Sequence, residues 1–264
     1  MGFRLEDLHV HSHLSSCCMD ERMTPNAILA FAEAHDYASL CLTDHLWDRA
    51  VPGASGWYAP QDIDHVRSSL PLPKSEKLPF YFGCETELPA NGIPALAREH
   101  FELFDFVVIP PNHMHMKGFV RPEGVDTPKK MADCVTDRLE NLLNLDLPFE
   151  KIGIAHLTGH LMFAEGSVAD VIREMDSKRL ERIFRGYAEA GAGIELNASS
   201  FPEWETRSED LLSIYRVAKE AGCKFYACSD AHAIEQLNVV PNLIPEIVKR
   251  LGLTEDDQYR IPKK

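Results

Sequence analysis

The chain has 264 residues, 45% of them apolar, which is enough to bury one sizeable core. Its formal net charge of −14 disfavours a surface that binds long nucleic acids, although bound metal ions can still make one pocket positive. Seven scattered cysteines, the lack of an apolar signal sequence and the lack of an apolar run of about 20 residues predict a cytoplasmic protein that does not bind membranes.

Short apolar runs alternate with longer amphipathic segments along the chain. The short runs predict seven strands, at residues 5–10, 39–43, 80–85, 106–109, 152–156, 193–197 and 224–229. Capping and stop signals predict helices from Pro25 to about His35, from Pro128 to near Leu145, and over residues 177–190, 208–221 and 245–251. This alternation is typical of a parallel α/β fold, and we expect a single domain over residues 1–264. The irregular segments 46–60 and 110–126 are interpreted as binding loops.

Every predicted strand ends in residues that bind metal ions, or leads to them within a few positions. In chain order these residues are His9 and His11, Asp44 and His45, Glu85, His113 and His115, His156, Glu195 and Asn197, and Asp230 and His232. One His-x-His or Asp-His pair would mean little, but the carboxyl ends of parallel strands meet at one edge, where active sites lie. Imidazole and carboxylate groups together suit Mn, Fe or Zn. The joint pattern therefore predicts a site for two or three divalent ions.

The same residues form a series of motifs that resembles a known family. The motifs are His9-Val10-His11-Ser12, Thr43-Asp44-His45, Gly83-Cys84-Glu85, a later His113, His156, and Ser229-Asp230-Ala231-His232. In this order they resemble the PHP (polymerase and histidinol phosphatase) family, with histidinol phosphatases as the nearest type. The resemblance implies a distorted, TIM-like (β/α) barrel of seven strands and a trinuclear metal site that hydrolyses phosphate esters.

The resemblance also implies a role for each ligand. His9, His11 and Asp230 would hold the first ion, Glu85 would bridge the first and second, His113 and His156 would complete the second, and His45 and His232 would hold the third. Many family members place another histidine shortly after the His-x-His motif, where this chain has Cys17. Cys17 is therefore a possible extra ligand to the third ion, with His13 as a second candidate. His115 remains an alternative to His113, and His160 an alternative to His156.

Three further residues are predicted to complete the catalytic site. Asp44, beside the ligand His45, would orient a ligand or a water molecule. Glu195 and Asn197 match a Glu-x-Asn element of the family and would orient ligands or contact substrate, the alternative being a polar barrel rim. A hydroxide that bridges the first two ions would attack phosphorus.

The substrate is less tightly constrained by the sequence. Lys117, Arg121 and Arg207 follow predicted strands and are candidates for binding phosphate, while Trp47, Trp57, Tyr58 and Trp204 are candidates for stacking on a planar leaving group. We expect a small phosphate monoester such as histidinol phosphate. The alternatives are a phosphodiesterase or exonuclease on short nucleotides, and a non-catalytic metal-binding regulatory module.

Overall fold

A sheet of parallel strands forms the centre of the protein. The computed structural model describes residues 2–201 and 203–263. Its strands are β1 (Asp7–Val10), β2 (Leu40–Leu42), β3 (His45–Leu46), β4 (Phe80–Thr86), β5 (Phe106–Ile109), β6 (Ile152–Ile154), β7 (Gly193–Asn197) and β8 (Lys224–Cys228). They lie in the order β1-β2-β4-β5-β6-β7-β8, and the two-residue strand β3 pairs with β4. All of these pairs are parallel.

The first and last strands of this order lie next to each other. The amide of Asp230, just after β8, donates to the carbonyl of His9 at 2.8 Å, and the amide of His11 donates to the carbonyl of Ala231 at 3.2 Å. The Asp7 carboxylate also accepts hydrogen bonds from the amide and hydroxyl of Ser229, at 2.9 and 2.6 Å. The strands therefore form a nearly closed barrel, which confirms the predicted α/β barrel.

The described residues form seven α-helices, and the predicted capping signals are seen at several of them. The helices are α1 (Pro25–Ala34), α2 (Ile63–Arg67), α3 (Pro128–Leu143), α4 (Val168–Glu174), α5 (Ser177–Ala190), α6 (Trp204–Glu220) and α7 (Val239–Leu251). The hydroxyls of Thr24 and Thr127 cap α1 and α3, and Gly191 ends α5 in the left-handed conformation.

The remaining helices differ from the prediction. Helix α6 begins four residues earlier than predicted and is kinked at Arg207, and α7 begins upstream of its internal Pro245. The short helices α2 and α4 were not predicted, because helices of five and seven residues show too little periodicity to be recognised. Within the described part of the chain, none of the helices combines the length and apolar character needed to cross a membrane.

Side chains alternate between the two faces of each strand. Val107 and Ile109 of β5 belong to the large apolar cluster that includes the helices, whereas Phe106 and Val108 belong to a separate cluster. The second cluster holds no helical residue and fills the barrel interior. Gly153 lies on this inner face, where a Cβ atom would collide with the Tyr226 hydroxyl and the Phe106 ring. Residue 153 must therefore be glycine, so that the Tyr226 side chain can cross the barrel interior.

Candidate metal centre

Four donor atoms at the carboxyl end of the barrel form a compact group. Nε2 of His9 and Nε2 of His11 are 3.1 Å apart, and each lies 3.4 Å from Oε2 of Glu85. Oδ1 of Asp230 lies 3.6 Å from the His9 nitrogen and 3.1 Å from the His11 nitrogen. A tetrahedral zinc site with metal–ligand distances of about 2.0–2.1 Å has donor atoms about 3.3–3.4 Å apart. These separations fit one divalent ion.

A second group of donor atoms adjoins the first. Oε1 of Glu85 lies 3.7 Å from Nε2 of His113 and 3.7 Å from Nε2 of His156. Oδ2 of Asp230 lies 3.3 Å from the same His156 nitrogen. The two oxygens of Glu85 thus face different groups of imidazoles, and so do the two oxygens of Asp230. Each carboxylate therefore lies between the two groups of donor atoms, and this position of Asp230 goes beyond the ligand scheme implied by the sequence.

A third group lies at the mouth of the barrel. Donor atoms of His11, His45 and His232 lie within 4.8 Å of one another, and the rings of His11 and His232 stack at 4.2 Å. The exposed Cys17 lines the same cavity. Burial raises the pKa of this thiol, but hydrogen bonds with His232 and His45 outweigh burial and lower the pKa to about 7. The third group therefore contains a possible thiolate ligand beside its imidazoles.

Buried polar atoms without partners support metal binding at the first two groups. Neither oxygen of Glu85 and neither ring nitrogen of His156 has a hydrogen-bond partner among the described residues, although all four atoms are buried. Burial raises the pKa of Glu85, but His45 and His9 outweigh burial and hold this pKa well below its usual range. Nδ1 of His45 lies 2.9 Å from Oε2 of Glu85, so imidazoles compensate the buried carboxylate in the metal-free protein, and divalent ions would supply that positive charge in their place. The donor set therefore fits divalent ions.

Two of these residues adopt an unusual backbone conformation. His156 and Asp230 have φ angles of +54° and +52°, in the left-handed region that non-glycine residues rarely occupy. Each lies two residues after the end of a strand, and the predicted strand at residues 152–156 accordingly ends at Ile154. Such strain persists where the surrounding structure requires it and is common at functional sites. Here it turns both side chains towards the group formed with Glu85.

Glu195 positions two of the histidines. Its Oε2 accepts hydrogen bonds from Nδ1 of His9 at 2.8 Å and from the Tyr226 hydroxyl at 2.9 Å, and its Oε1 accepts the backbone amide of His156 at 3.0 Å. Because Nδ1 of His9 is hydrogen-bonded to Glu195, Nε2 of the same ring points towards the first group of donor atoms. These hydrogen bonds orient the ring of His9 and hold the backbone of His156.

Asp44 acts on His11 through a serine. The Asp44 carboxylate accepts hydrogen bonds from the amide and hydroxyl of Ser12, both at 2.7 Å, and from the Ser15 hydroxyl at 2.6 Å. The Ser15 oxygen in turn lies 3.0 Å from Nδ1 of His11, which donates to it. This chain of hydrogen bonds fixes the tautomer of His11 with Nε2 unprotonated and available to a metal ion.

Asn197 and Glu87 complete the supporting layer. The Asn197 amide donates to Oδ2 of Asp230 at 3.1 Å. Glu87 accepts hydrogen bonds from Nδ1 of His113 and from the Tyr58 hydroxyl, both at 2.7 Å. Sequence reasoning missed Glu87, although its position two residues after Glu85 in an extended segment would have placed it on the same face.

The alternative histidines occupy different positions from the proposed ligands. His115 lines the cavity beyond His113, and burial lowers its pKa to about 4. His160 lines an adjoining cavity with His156. Nδ1 of His13 is bound to the carbonyl of Met23 at 3.1 Å. The groups of potential ligands found among the described residues contain His113 and His156 rather than these three.

The three predicted phosphate-binding cations form ion pairs with carboxylates. Lys117 and Arg121 both form ion pairs with Glu165, at 2.6 and 2.8 Å. Arg207, at the kink of α6, is paired with Asp210 at 2.7 Å and with Asp170 at 2.8 Å. In each case a nearby carboxylate binds the side chain, and none of the three lines the cavities at the ion-binding groups.

Two cavities meet at the ion-binding residues. The larger, of about 360 Å³, is lined by Trp57 and Tyr58 but not by Trp47 or Trp204. Trp47 is buried and donates to the carbonyl of Val51, and Trp204 lies beneath the Arg250 guanidinium at 4.9 Å. The smaller cavity, of about 230 Å³, shares with it the walls formed by His156, Leu161, Asp230 and His232.

Comparisons with known proteins identify the fold. No protein-family model matches the sequence, and no curated protein matches it. Among solved structures, the histidinol phosphate phosphatase HisK of Lactococcus lactis subsp. lactis Il1403, complexed with zinc, L-histidinol and phosphate, is similar over 97% of this chain and 99% of its own, with 17% identity and a TM-score of 0.54. A candidate histidinol phosphatase, HisK of Listeria monocytogenes, is similar over 88% of this chain and 97% of its own, with 12% identity and a TM-score of 0.58. The barrel of this chain is therefore the fold of the HisK histidinol phosphatases, as the sequence resemblance implied.

Proposed function

We propose that this protein is a metal-dependent phosphoric-ester hydrolase that acts on a small phosphate monoester. The observation that supports it best is the placement of the Glu85 and Asp230 carboxylates between two groups of donor atoms. Each carboxylate presents one oxygen to the group of His9 and His11 and the other to the group that contains His156. Two neighbouring ion sites with shared carboxylates are typical of hydrolases that act on phosphate esters.

The proposed ligands are His9, His11, Glu85 and Asp230 for the first ion, Glu85, Asp230, His113 and His156 for the second, and His45 and His232, with Cys17 as an extra ligand, for the third. Bound divalent ions would lower the pKa of a coordinated water to about 7 and neutralise phosphate oxygens. Asp44, Glu195 and Asn197 orient the side chains that hold these ions. Zinc is the leading candidate because imidazole, carboxylate and thiolate all bind it, and manganese and iron are the alternatives.

The cavity volumes, the net charge and the ligands of a similar structure support a small substrate. The cavity volumes are in the range of sites for small molecules. The formal net charge of −14 opposes binding of long nucleic acids. The Lactococcus structure contains L-histidinol and phosphate, so histidinol phosphate is the reference compound for this chain. We also propose that residues 1–264 form one domain and that its seven unpaired cysteines reflect a reducing, cytoplasmic compartment.

The test compares an aryl phosphate monoester with the matching diester, using protein loaded with zinc or with manganese. We expect turnover of the monoester, and loss of this turnover in Glu85→Gln. His35→Ala, which changes a histidine at the end of α1, serves as the control and should retain activity. Turnover of the diester alone would replace the proposal with a phosphodiesterase. Bound metal without turnover of any ester would contradict an enzymatic function.

A further inference from the structure

We propose that the cavity selects a phosphate ester whose leaving group is planar and uncharged. This inference rests on the proposed function and names its substrate class. Beyond the ion-binding residues and Cys17, the proposed extra ligand, the larger cavity is lined by Trp57, Tyr58, His115, Met116 and Leu161. Among the described residues that line it, none outside the ion-binding groups carries a carboxylate, an ammonium or a guanidinium group. A leaving group that enters it therefore meets aromatic, aliphatic and neutral polar side chains.

The adjoining cavity has the same character. Its walls apart from those shared with the larger cavity are formed by Asn112, Gly159, His160, Ser199, Ser200 and Gln236. These residues offer amide and hydroxyl groups and, in the described part of the chain, add no fixed charge. A leaving group can extend from the ion-binding residues into either cavity, and it meets no charged partner from the described residues in either one.

Charged side chains outside the cavity lining, such as Glu87 and Glu165, already have partners. Glu87 lies behind the cavity wall, where its carboxylate accepts the Tyr58 hydroxyl and binds His113. Glu165 forms ion pairs with Lys117 and Arg121. An ammonium on the substrate would have to compete with these partners for a carboxylate, and a substrate carboxylate would have to compete with Glu165 for a cation.

Enclosure of an unpaired charge opposes binding strongly. A buried ion without a hydrogen-bonded partner of opposite charge loses more free energy of hydration than a neutral group does. A cation above the ring of Trp57, which is 41% exposed, would recover a factor of about 2–5. We therefore expect a cationic or anionic leaving group to be disfavoured by tenfold or more, relative to a neutral group of the same shape. L-Histidinol, whose amine is protonated, belongs to the disfavoured class, so histidinol phosphate should be a poorer substrate than a neutral ester of the same shape.

The aromatic side chains favour planarity. Trp57 is 41% exposed and stands almost perpendicular to Tyr58, with ring centroids 4.6 Å apart. It also makes an edge contact with the ring of His45 at 5.3 Å. Met116 and Leu161 line the same cavity. A flat ring can pack against this corner of aromatic side chains, and aromatic pairs contribute up to about tenfold in affinity beyond their buried area.

The experiment uses three phosphate monoesters and the metal-loaded full chain. The compounds are 3-phenylpropyl phosphate, its 2-amino derivative (phenylalaninol phosphate) and propyl phosphate. 3-Phenylpropyl phosphate and phenylalaninol phosphate differ only by the ammonium group. 3-Phenylpropyl phosphate and propyl phosphate differ only by the ring. We expect kcat/KM for 3-phenylpropyl phosphate to exceed both others by tenfold or more.

Substitutions in the cavity test whether the lack of charged partners and the ring of Trp57 cause these preferences. Leu161→Glu introduces a carboxylate and should raise kcat/KM for the amino ester relative to 3-phenylpropyl phosphate by at least tenfold, whereas the uncharged Leu161→Gln should not. Trp57→Ala should remove most of the preference for the phenyl ring, measured as the ratio of kcat/KM for 3-phenylpropyl phosphate to kcat/KM for propyl phosphate. Leu103→Ala removes an exposed apolar side chain that precedes β5, at the opposite end of the barrel, and should change none of these ratios.

The outcomes separate this inference from the proposed function. Equal or better turnover of the amino ester by the unmodified protein would overturn the inference and leave a phosphatase. A Leu161→Glu variant with the same preference as Leu161→Gln would also overturn it. Failure to hydrolyse any of the three esters with zinc, manganese or iron would instead overturn the proposed function.

Discussion

The carboxylate of Glu195 accepts a hydrogen bond from Nδ1 of His9 at 2.8 Å, and this contact turns Nε2 of the same ring towards Glu85 and Asp230. Both residues are fully buried, and burial opposes charge on each. The attraction of Glu195, Asp230 and Glu85 outweighs burial and holds the pKa of His9 well above its ordinary value, while His9 and His156 hold the pKa of Glu195 below its ordinary value. The pair is thus an electrostatic support for the first group of ligands.

Replacement of Glu195 should weaken metal binding without removing a direct ligand. In Glu195→Gln an amide NH₂ must face one of the donors that the carboxylate now accepts, from His9, Tyr226 or the His156 amide. We expect zinc affinity to fall by about 10–100-fold, the usual effect of losing a group that orients a metal-binding histidine. Competition with a chromogenic chelator measures it. Glu165→Gln, which changes an exposed glutamate of an ion pair, is the control, and equal affinities in the two variants would refute this role.

Removal of the Glu85 bridge should affect two ions at once. Glu85→Gln removes a negative charge that both donor groups share, because the two oxygens of Glu85 face different sets of imidazoles. We expect the metal content, measured by elemental analysis, to fall by at least one ion per chain and kcat/KM to fall by about a thousandfold or more. Zinc should also raise the melting temperature of the variant less than that of the parent, because stabilisation by a ligand depends on its affinity for the folded state. Unchanged stoichiometry would contradict the bridge.

The thiol of Cys17 should react at unusually low pH in the metal-free protein. Hydrogen bonds with His232 and His45 overcome the effect of burial and lower its pKa to about 7, whereas burial raises the pKa of the neighbouring Cys18 to about 11. Since the thiolate is the reactive form, the rate of alkylation by iodoacetamide should rise with a midpoint near pH 7 rather than near 9.

The same reaction tests whether Cys17 is a ligand. Alkylation near pH 7 should disappear in Cys17→Ser, which identifies the labelled residue. Zinc should slow the alkylation of the parent, because a coordinated thiolate is shielded. A midpoint near pH 9 would contradict the predicted environment, and an unchanged rate in the presence of zinc would exclude Cys17 from the third group of ligands.

Glu6 should make the fold less stable as the pH rises. Burial raises its pKa from 4.5 to about 7. Its Oε2 accepts the Ser39 hydroxyl at 2.8 Å, and its Oε1 has no hydrogen-bond partner within residues 2–201 and 203–263. The folded protein therefore favours the protonated form, so stability is lost as the pH rises from about 4.5 through about 7, and the loss is complete above that range. Glu6→Gln removes this dependence. Its free energy of unfolding relative to the parent should increase by about 2 kcal/mol between pH 5 and pH 8.

Urea unfolding at the two pH values measures this difference. Glu76→Gln changes an exposed glutamate and should show no comparable gain. A difference between Glu6→Gln and the parent that does not grow from pH 5 to pH 8 would show that Glu6 ionises in the folded protein as readily as in the unfolded chain.

The sequence by itself determined the barrel and the positions of most candidate ligands. Parallel strands align their carboxyl ends, so residues that end separate strands, such as His11, Glu85 and Asp230, meet whatever the lengths of the connections between them. Local signals were equally informative, since the capping side chains of Thr24 and Thr127 act on amides three residues away.

The tertiary structure alone decided how each polar side chain is used. It shows that Asp44 reaches His11 through Ser15, that Glu87 supports His113, and that Asp230 faces two groups of ligands. It also shows that Arg207 is bound by Asp170 and Asp210 rather than directed into the cavity. A long polar side chain pairs with the nearest complementary group in space. That group is often tens or hundreds of residues away in the chain, and only the packed structure brings the two together.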